Sequence, residues 1–321
     1  MEIKENMESF YHCGMHILIC TIKPIHEIDM STNNSNYMKK PISLTQTYNI
    51  DQVRRMSCLR LGMTESTLLL CYWLDAHCEN ENGCLKSENS LIVNRLCRTS
   101  GYYDMNSKPE QILSSQTLND YLSNLLRIIK ASEYQVKLNF HNLPRRQQRS
   151  KKFYDFVEHS SKQPPISFYD FVNNKHILIV NNLGCLMKQQ YESGNLQKAN
   201  KAFPTTVKSI QYFENGYTFF NKGPHNNILE TTQDICNKIK DFEFDGAIIS
   251  AGAYSCLVAD FIQNEMKKEV FVEGGDLATW FGIKTNRAFG FNPNLINEYF
   301  IEVPDHLKPE GYKDIEDGAY W

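Results

Sequence analysis

The sequence predicts an α/β protein whose C-terminal half is a doubly wound, Rossmann-like parallel sheet. Short apolar runs of strand length alternate there with segments whose apolar residues recur every three to four positions, as in an amphipathic helix. Two of the runs are nearly continuous in aliphatic residues, which is typical of strands covered on both faces. Strands that alternate with helices favour right-handed crossovers, and these produce a parallel sheet with helices on both sides.

Four strands are predicted in this half, at residues 176–180, 207–212, 246–250 and 270–272. Helices are expected after the first three strands, beginning near Leu186, Leu229 and Leu257. Each of these three strands therefore ends in a turn that leads toward a helix.

The rest of the chain divides into two predicted regions. Residues 1–50 show no lasting period and contain a polar tract, so we expect a loosely ordered extension. Residues 51–163 predict an α/β lobe, with a strand at 57–62, a buried helix at 65–74 and a long helix from Pro109 onward. A basic run within 142–152 and a Pro-Pro pair precede the third region, 164–321, which is the doubly wound domain. The basic run is interpreted as a solvated linker, with contact to a phosphorylated or acidic partner as the alternative.

Composition excludes several classes of partner. The 321 residues carry a net charge of -3, whereas nucleic acid and anionic membranes favour a large positive excess, so no nucleic-acid partner is expected. No apolar stretch is long enough for a transmembrane segment, and no signal-peptide pattern is present. The ten cysteines include no Cys-x-x-Cys pair, and we interpret them as reduced thiols in a cytoplasmic protein.

Candidate ligand-binding residues follow three of the predicted strands. Ligands of open α/β sheets bind outside the carboxyl ends of the strands. Glycine turns that run into helices present backbone N–H groups and the positive end of a helix dipole, which suits phosphate. The alternative is that the glycines only permit tight turns. Neither the turn at Gly252 nor the turn at Gly274 and Gly275 matches the dinucleotide-binding pattern G-x-G-x-x-G. The candidates are Asn181 and Asn182, Gly252 and Tyr254, and Gly274 and Gly275.

Charged residues provide the remaining candidates. Lys284 and Arg287 follow the last helix and are predicted to neutralise an anionic ligand, unless they form a solvated surface pair. Arg60 and Glu65 flank Gly62 at another strand-to-helix exit. There a carboxylate serves as a general base or a metal ligand, the alternative being that Glu65 only complements the helix dipole.

Four strings of the sequence resemble the GT-D-type glycosyltransferases, a widespread and poorly characterised set. The strings are residues 60–65 (RLGMTE), 245–254 (DGAIISAGAY), 274–284 with its Gly-Gly and Phe-Gly-Ile-Lys, and 316–321 (EDGAYW). Gly101-Tyr102-Tyr103 is similar to an aromatic turn of the same set. The resemblance covers roughly residues 57–321.

The resemblance implies transfer of a sugar from a nucleotide-sugar donor to a glycan or glycoconjugate acceptor. It also implies an Asp-x-Glu motif near the donor diphosphate and a divalent metal, Mn²⁺ or Mg²⁺. Glu65 occupies the Glu position, but Met63 stands where the Asp is expected. A thioether is a poor ligand for hard cations, so Met63 argues against a metal and favours Glu65 as the base.

Two other functions stay open at this point. Glu214, after the second predicted strand, is placed to hold ribose hydroxyls in a nucleotide- or S-adenosylmethionine-dependent transferase. The departure at Met63 also permits a non-catalytic protein of the same fold that binds nucleotide sugars.

Overall fold

The computed structural model describes residues 58–77, 89–131, 135–138, 167–291 and 293–321. The predicted N-terminal extension, residues 1–50, and the basic run within 142–152 lie outside the described residues.

Six parallel strands form one sheet in the order β2-β1-β6-β5-β3-β4. The prediction of an α/β protein with a Rossmann-like parallel sheet is therefore confirmed. The strands are β1 (Cys58–Leu61), β2 (Gln135–Leu138), β3 (His176–Val180), β4 (Ser209–Phe213), β5 (Gly246–Ile249) and β6 (Glu269–Val272).

Helices flank this sheet, and a pair of two-residue strands, β7 (Ile283–Lys284) and β8 (Ile301–Glu302), forms a small second sheet. The α-helices are α1 (Met63–His77), α2 (Asn89–Thr99), α3 (Gln116–Ala131), α4 (Phe168–Val172), α5 (Gly184–Glu192), α6 (Leu196–Ala199), α7 (Ile228–Ile239), α8 (Ser255–Asn264), α9 (Leu277–Trp280) and α10 (Asn286–Phe291).

The direction of winding reverses at β3. From β3 the chain passes to β4 on one side, and it then crosses back to β5 and β6 on the other side. Such a reversal leaves a crevice at the carboxyl ends of the two strands that flank it, where open α/β sheets bind ligands. In this chain the crevice lies between the ends of β3 and β5.

An apolar core covers each face of the sheet. Leu178 and Ile249 belong to one core, and their neighbours Ile177 and Ile248 belong to the other. This division follows from strand geometry, since successive side chains point to opposite faces. All four side chains are at most 1% exposed, as expected for strands covered by helices on both sides.

Strands from both sides of the predicted domain boundary share the large sheet. β1 pairs with β6, with Cys58 opposite Phe271, and β2 pairs with the outer edge of β1. β2 was not predicted, because its sequence Gln-Val-Lys-Leu is too short to show a period. The boundary near residue 164 stays a prediction.

The long helix expected from Pro109 onward is interrupted. Residues Pro109–Ser114 form a 3₁₀ helix, and α3 begins after Ser115. Ser115 has extended dihedrals, with ψ 147°, and its Oγ accepts a hydrogen bond from the N–H of Leu118 at 3.1 Å. A serine that caps the next helix in this way competes with a continuous helical backbone.

The structure bears on the cysteines and on the membrane-spanning character of the helices. The six cysteines in the described ranges are free thiols: Cys58, Cys71, Cys97, Cys185, Cys236 and Cys256. Among the described helices, none combines the length and the apolar character needed to cross a membrane.

Leu178→Ala tests whether the β3 side chain of Leu178 is buried in the core. Leu178 is 0% exposed, so we expect the free energy of unfolding to fall by about 2–5 kcal/mol. Leu295→Ala is the matched control, because Leu295 is 51% exposed, and its loss should stay within about 0.5 kcal/mol. Urea unfolding measures both, and equal losses would contradict the assignment of Leu178 to the core.

Candidate functional site

The centre of the site is a contact between the ends of β1 and β6. The guanidinium of Arg60 lies directly against the Cα of Gly274, so that a side chain at residue 274 would overlap Nη1. Arg60 Nε is 3.5 Å from Oε1 of Glu273, and the same oxygen accepts a hydrogen bond from the N–H of Gly274 at 2.8 Å. Glycine at 274 is therefore required for the close approach of an arginine from the neighbouring strand.

Glu65 lies beside this contact in the first turn of α1. Its carboxylate packs against Gly62, where any side chain would overlap it, and the residue is only 7% exposed. A cavity with room for about one water molecule borders it, lined also by Arg60, Tyr121 and Cys256. The cavity accommodates a single oxygen and is too small for a nucleotide.

Burial raises the pKa of Glu65 above its ordinary value. Hydrogen bonds from its own backbone and from Ser100, together with the charge of Arg60, act in the opposite direction, and the charge of Glu316 adds to the rise. Because burial is the largest of these effects, the ionised carboxylate is a stronger base than an exposed glutamate.

The turn after β5 is held by hydrogen bonds within the protein. Gly252 has φ +55°, and its Cα lies against the carbonyl oxygen of Ser100. That oxygen accepts a hydrogen bond from Ala253 N–H at 2.7 Å. The buried Tyr254 donates its hydroxyl to Thr218 Oγ1 at 2.8 Å. The turn thus uses its glycine for a close backbone approach, and the N–H of Ala253 is not free for phosphate.

The turn after β6 is covered by residues 316–321. The ring of Tyr320 lies against the Cα of Gly275, where a side chain would overlap it. Tyr320 donates its hydroxyl to Oε2 of Glu316 at 2.7 Å. Arg287 donates from Nε to Oδ1 of Asp276 at 3.0 Å, and its guanidinium carbon is 5.8 Å from the Tyr320 ring centroid. Gly275 therefore lies against the ring of Tyr320 and the side chain of Arg287.

The predicted residues after β3 stabilise the crevice. Asn181 donates from Nδ2 to the carbonyl of Ser250 at 2.6 Å, and its Oδ1 accepts from Leu183 N–H at 2.7 Å. Asn182 donates from Nδ2 to the carbonyl of Gly216 at 2.9 Å. Asn181 thereby joins the ends of β3 and β5 at the point where the winding reverses.

Lys284 lies elsewhere. It is in the small sheet, where its Nζ pairs with Oε1 of Glu302 across β7 and β8 at 2.7 Å. The predicted role of Lys284 in neutralising a ligand has no support from this placement.

The residues around Glu65 do not fit a divalent cation. Met63 begins α1 and offers a thioether in place of a carboxylate. Within the described part of the chain, no three His, Cys, Asp or Glu side chains come close enough to hold a metal. The Glu65 carboxylate is buried against Gly62 and hydrogen-bonded to Ser100.

Several residues of the site were not singled out from the sequence. Asp276 follows the Gly-Gly pair, and Glu316 and Tyr320 belong to the string 316–321 that carries part of the resemblance. Their neighbourhood in the sequence could therefore have identified them as site residues. Arg95 and Ser100 have no such signal, because single polar residues on or after a helix are common at surfaces. The missed residues are Arg95, Ser100, Glu273, Asp276, Glu316 and Tyr320.

Comparisons of the chain with protein-family models, curated proteins and solved structures found no match.

Glu65→Gln tests the burial of this carboxylate. Burial raises the folded-state pKa of Glu65 above the ordinary 4.5, so above that pH the unfolded chain loses a proton that the folded chain still holds. Wild-type stability then falls as pH rises, whereas the amide does not titrate. Urea unfolding should show the variant gaining stability relative to wild type from about pH 4.5 upward.

The surface variant Glu192→Gln is the control for a Glu-to-Gln change. A constant difference between wild type and Glu65→Gln from pH 4 to pH 8 would contradict the raised pKa.

Proposed function

We propose that this protein is a glycosyltransferase that transfers a sugar from a nucleotide-sugar donor. The observation that carries the proposal is the meeting of the four resembling strings at one edge of the sheet. Arg60 contacts Gly274, and Tyr320 contacts Gly275. The turn at Gly252 lies beside them, and Ala253 lines the same cavity as Glu65. Segments separated by up to about 260 residues thus form one site.

The charges at this edge suit a diphosphate. Arg60 lies on Gly274, and Arg287 lies beside Gly275, so two guanidinium groups flank the turn after β6. Guanidinium groups bind phosphate oxygens through parallel N–H donors and keep their charge at all relevant pH values. They take the place of a metal in balancing the donor's negative charge.

The spacing of the strands suits an extended donor. Neighbouring strands lie about 4.8 Å apart, so the ends of β1, β6, β5 and β3 span roughly 14 Å. A donor whose sugar lies near β1 and whose nucleoside lies toward β3 would cross the crevice between β3 and β5. Asn181 and Asn182 are then at the nucleoside end.

Glu65 is the base in the proposed reaction. The acceptor hydroxyl enters the one-oxygen cavity and gives its proton to the Glu65 carboxylate. The hydroxyl oxygen forms a bond to the anomeric carbon, while the bond from that carbon to the diphosphate oxygen breaks. The diphosphate leaves with the bonding electron pair, and Arg60 and Arg287 stabilise its added negative charge.

Glu214 favours a second candidate, an S-adenosylmethionine- or nucleotide-dependent transferase. It follows β4 directly, and β4 neighbours β3 on the side where Rossmann-like proteins place the carboxylate that holds ribose hydroxyls. Calorimetry with S-adenosylmethionine separates the two candidates, because the glycosyltransferase proposal expects no binding of this compound.

The primary test is a thermal-shift screen with UDP-, GDP-, TDP- and CMP-sugars, with and without Mn²⁺. A donor present at 100 times its Kd should stabilise the fold by about 2.7 kcal/mol. No stabilisation by any of these compounds would contradict the proposal. Binding without transfer or hydrolysis would instead identify a non-catalytic protein of the same fold.

Glu65→Gln tests the proposed base once a donor is known. We expect transfer to fall by a factor of about 10²–10⁴, since that is the usual contribution of a general base. Donor binding and the melting temperature at pH 7 should not fall. Glu192→Gln serves again as the matched surface control, and unchanged transfer in Glu65→Gln would remove Glu65 from the mechanism.

A further inference from the structure

Two arginines from different helices face one carboxylate beside the turn after β6. Oε1 of Glu316 is 3.8 Å from Nη2 of Arg95, which lies in α2. Oε2 of the same residue is 4.0 Å from Nη1 of Arg287, which lies in α10. Each oxygen of the carboxylate therefore faces a different guanidinium group.

Both gaps are longer than hydrogen bonds, whose N–H···O distances are about 2.7–3.2 Å. By comparison, Arg127 binds Asp260 at 2.8 Å. Arg95 donates no side-chain hydrogen bond to any residue in the described ranges, and its side chain is 46% exposed. Neither guanidinium group is therefore hydrogen-bonded to Glu316, whose Oε2 accepts the Tyr320 hydroxyl instead.

The carboxylate is held there by an unusual turn. Glu316, Asp317 and Gly318 have φ values of 49°, 54° and 71°, a left-handed conformation that is unfavourable for the two residues with a Cβ. Buried Ile315 and Trp321 anchor the two sides of this turn. Backbone strain of this kind persists only where the surrounding packing holds it in place.

We propose that Arg95 and Arg287 form the two sides of a diphosphate site, and that the bound diphosphate displaces the Glu316 carboxylate from between them. Phosphate is larger than a carboxylate, carries more negative charge and matches the donor pattern of a guanidinium group. This inference rests on the proposed function, since the diphosphate is that of the nucleotide-sugar donor. It adds Arg95 to the residues that bind the donor and assigns Glu316 as a competitor for the same cations.

Calorimetric titration of the full chain with inorganic pyrophosphate tests this site directly. Arg95→Gln should weaken binding by roughly tenfold, because it removes a charge-assisted hydrogen bond. Glu316→Gln should tighten binding severalfold, because it removes the competing charge. A carboxylate that only supported the fold would give the opposite sign, since its loss would loosen Arg287 and weaken binding.

Two neighbouring residues supply matched controls. Arg98 lies one turn along α2 and is exposed, with its guanidinium carbon 5.9 Å from the Phe220 ring centroid. Asp317 is the exposed carboxylate next to Glu316. Arg98→Gln and Asp317→Asn should each bind pyrophosphate within about twofold of wild type, and circular dichroism should show all four variants folded.

Three results would overturn the inference. These are equal affinity of Arg95→Gln and Arg98→Gln, an affinity of Glu316→Gln that is no higher than that of Asp317→Asn, and no binding by either wild type or Glu316→Gln. The two proposals fail separately. If the wild type transfers sugar and Arg95→Gln transfers it equally well, the proposed function stands and the diphosphate site does not. If pyrophosphate binding changes as expected in the variants but no nucleotide sugar binds, the anion site stands and the proposed function does not.

Discussion

The parallel pairing of β1 with β6 is the constraint on which the site depends. β1 is the earliest described element of the chain, and it joins the large sheet beside β6, the last of that sheet's strands in the sequence. Leu59 and Leu61 are buried in one core, and the alternation of side chains places Arg60 at the strand end on the opposite face. There the guanidinium reaches Gly274. A one-residue shift of this strand would turn Arg60 into the apolar core and Leu61 toward the carboxylates.

The glycines of the site allow side chains from distant segments to approach the backbone. Glu65 occupies the space beside Gly62, Arg60 the space beside Gly274, and Tyr320 the space beside Gly275. In a glycine-rich phosphate-binding loop, the space beside each glycine would instead be left for the ligand. In this protein the glycine turns therefore position charged side chains and a ring, and it is mainly those groups that are available to bind a ligand.

The charged groups of the site affect the stability of the fold in opposite directions. Glu65 is buried, and burial raises its pKa, so its ionised form destabilises the fold. The carboxylates of Asp276 and Glu316 offset the charge of Arg287. Such counter-charges stabilise the fold, because unpaired half-buried cations are costly.

The sequence by itself determined the local elements. Apolar runs predicted β3 at its observed bounds and β4, β5 and β6 to within two residues. Burial on both faces leaves such a run in β3, β5 and β6, whereas the two-residue strands β7 and β8 are too short to show one. The sequence also identified Arg60, Glu65 and the glycine turns as candidates, since residues that leave parallel strands meet at one edge of a sheet.

Only the tertiary structure decided that β1 and β2 extend the same sheet, since a local sequence pattern does not specify which strand pairs with which. Likewise, Arg95 in α2 and Glu316 in a left-handed turn more than 200 residues later come within 3.8 Å only in the folded chain. Such a contact is set by packing across the chain, and no sequence period records it.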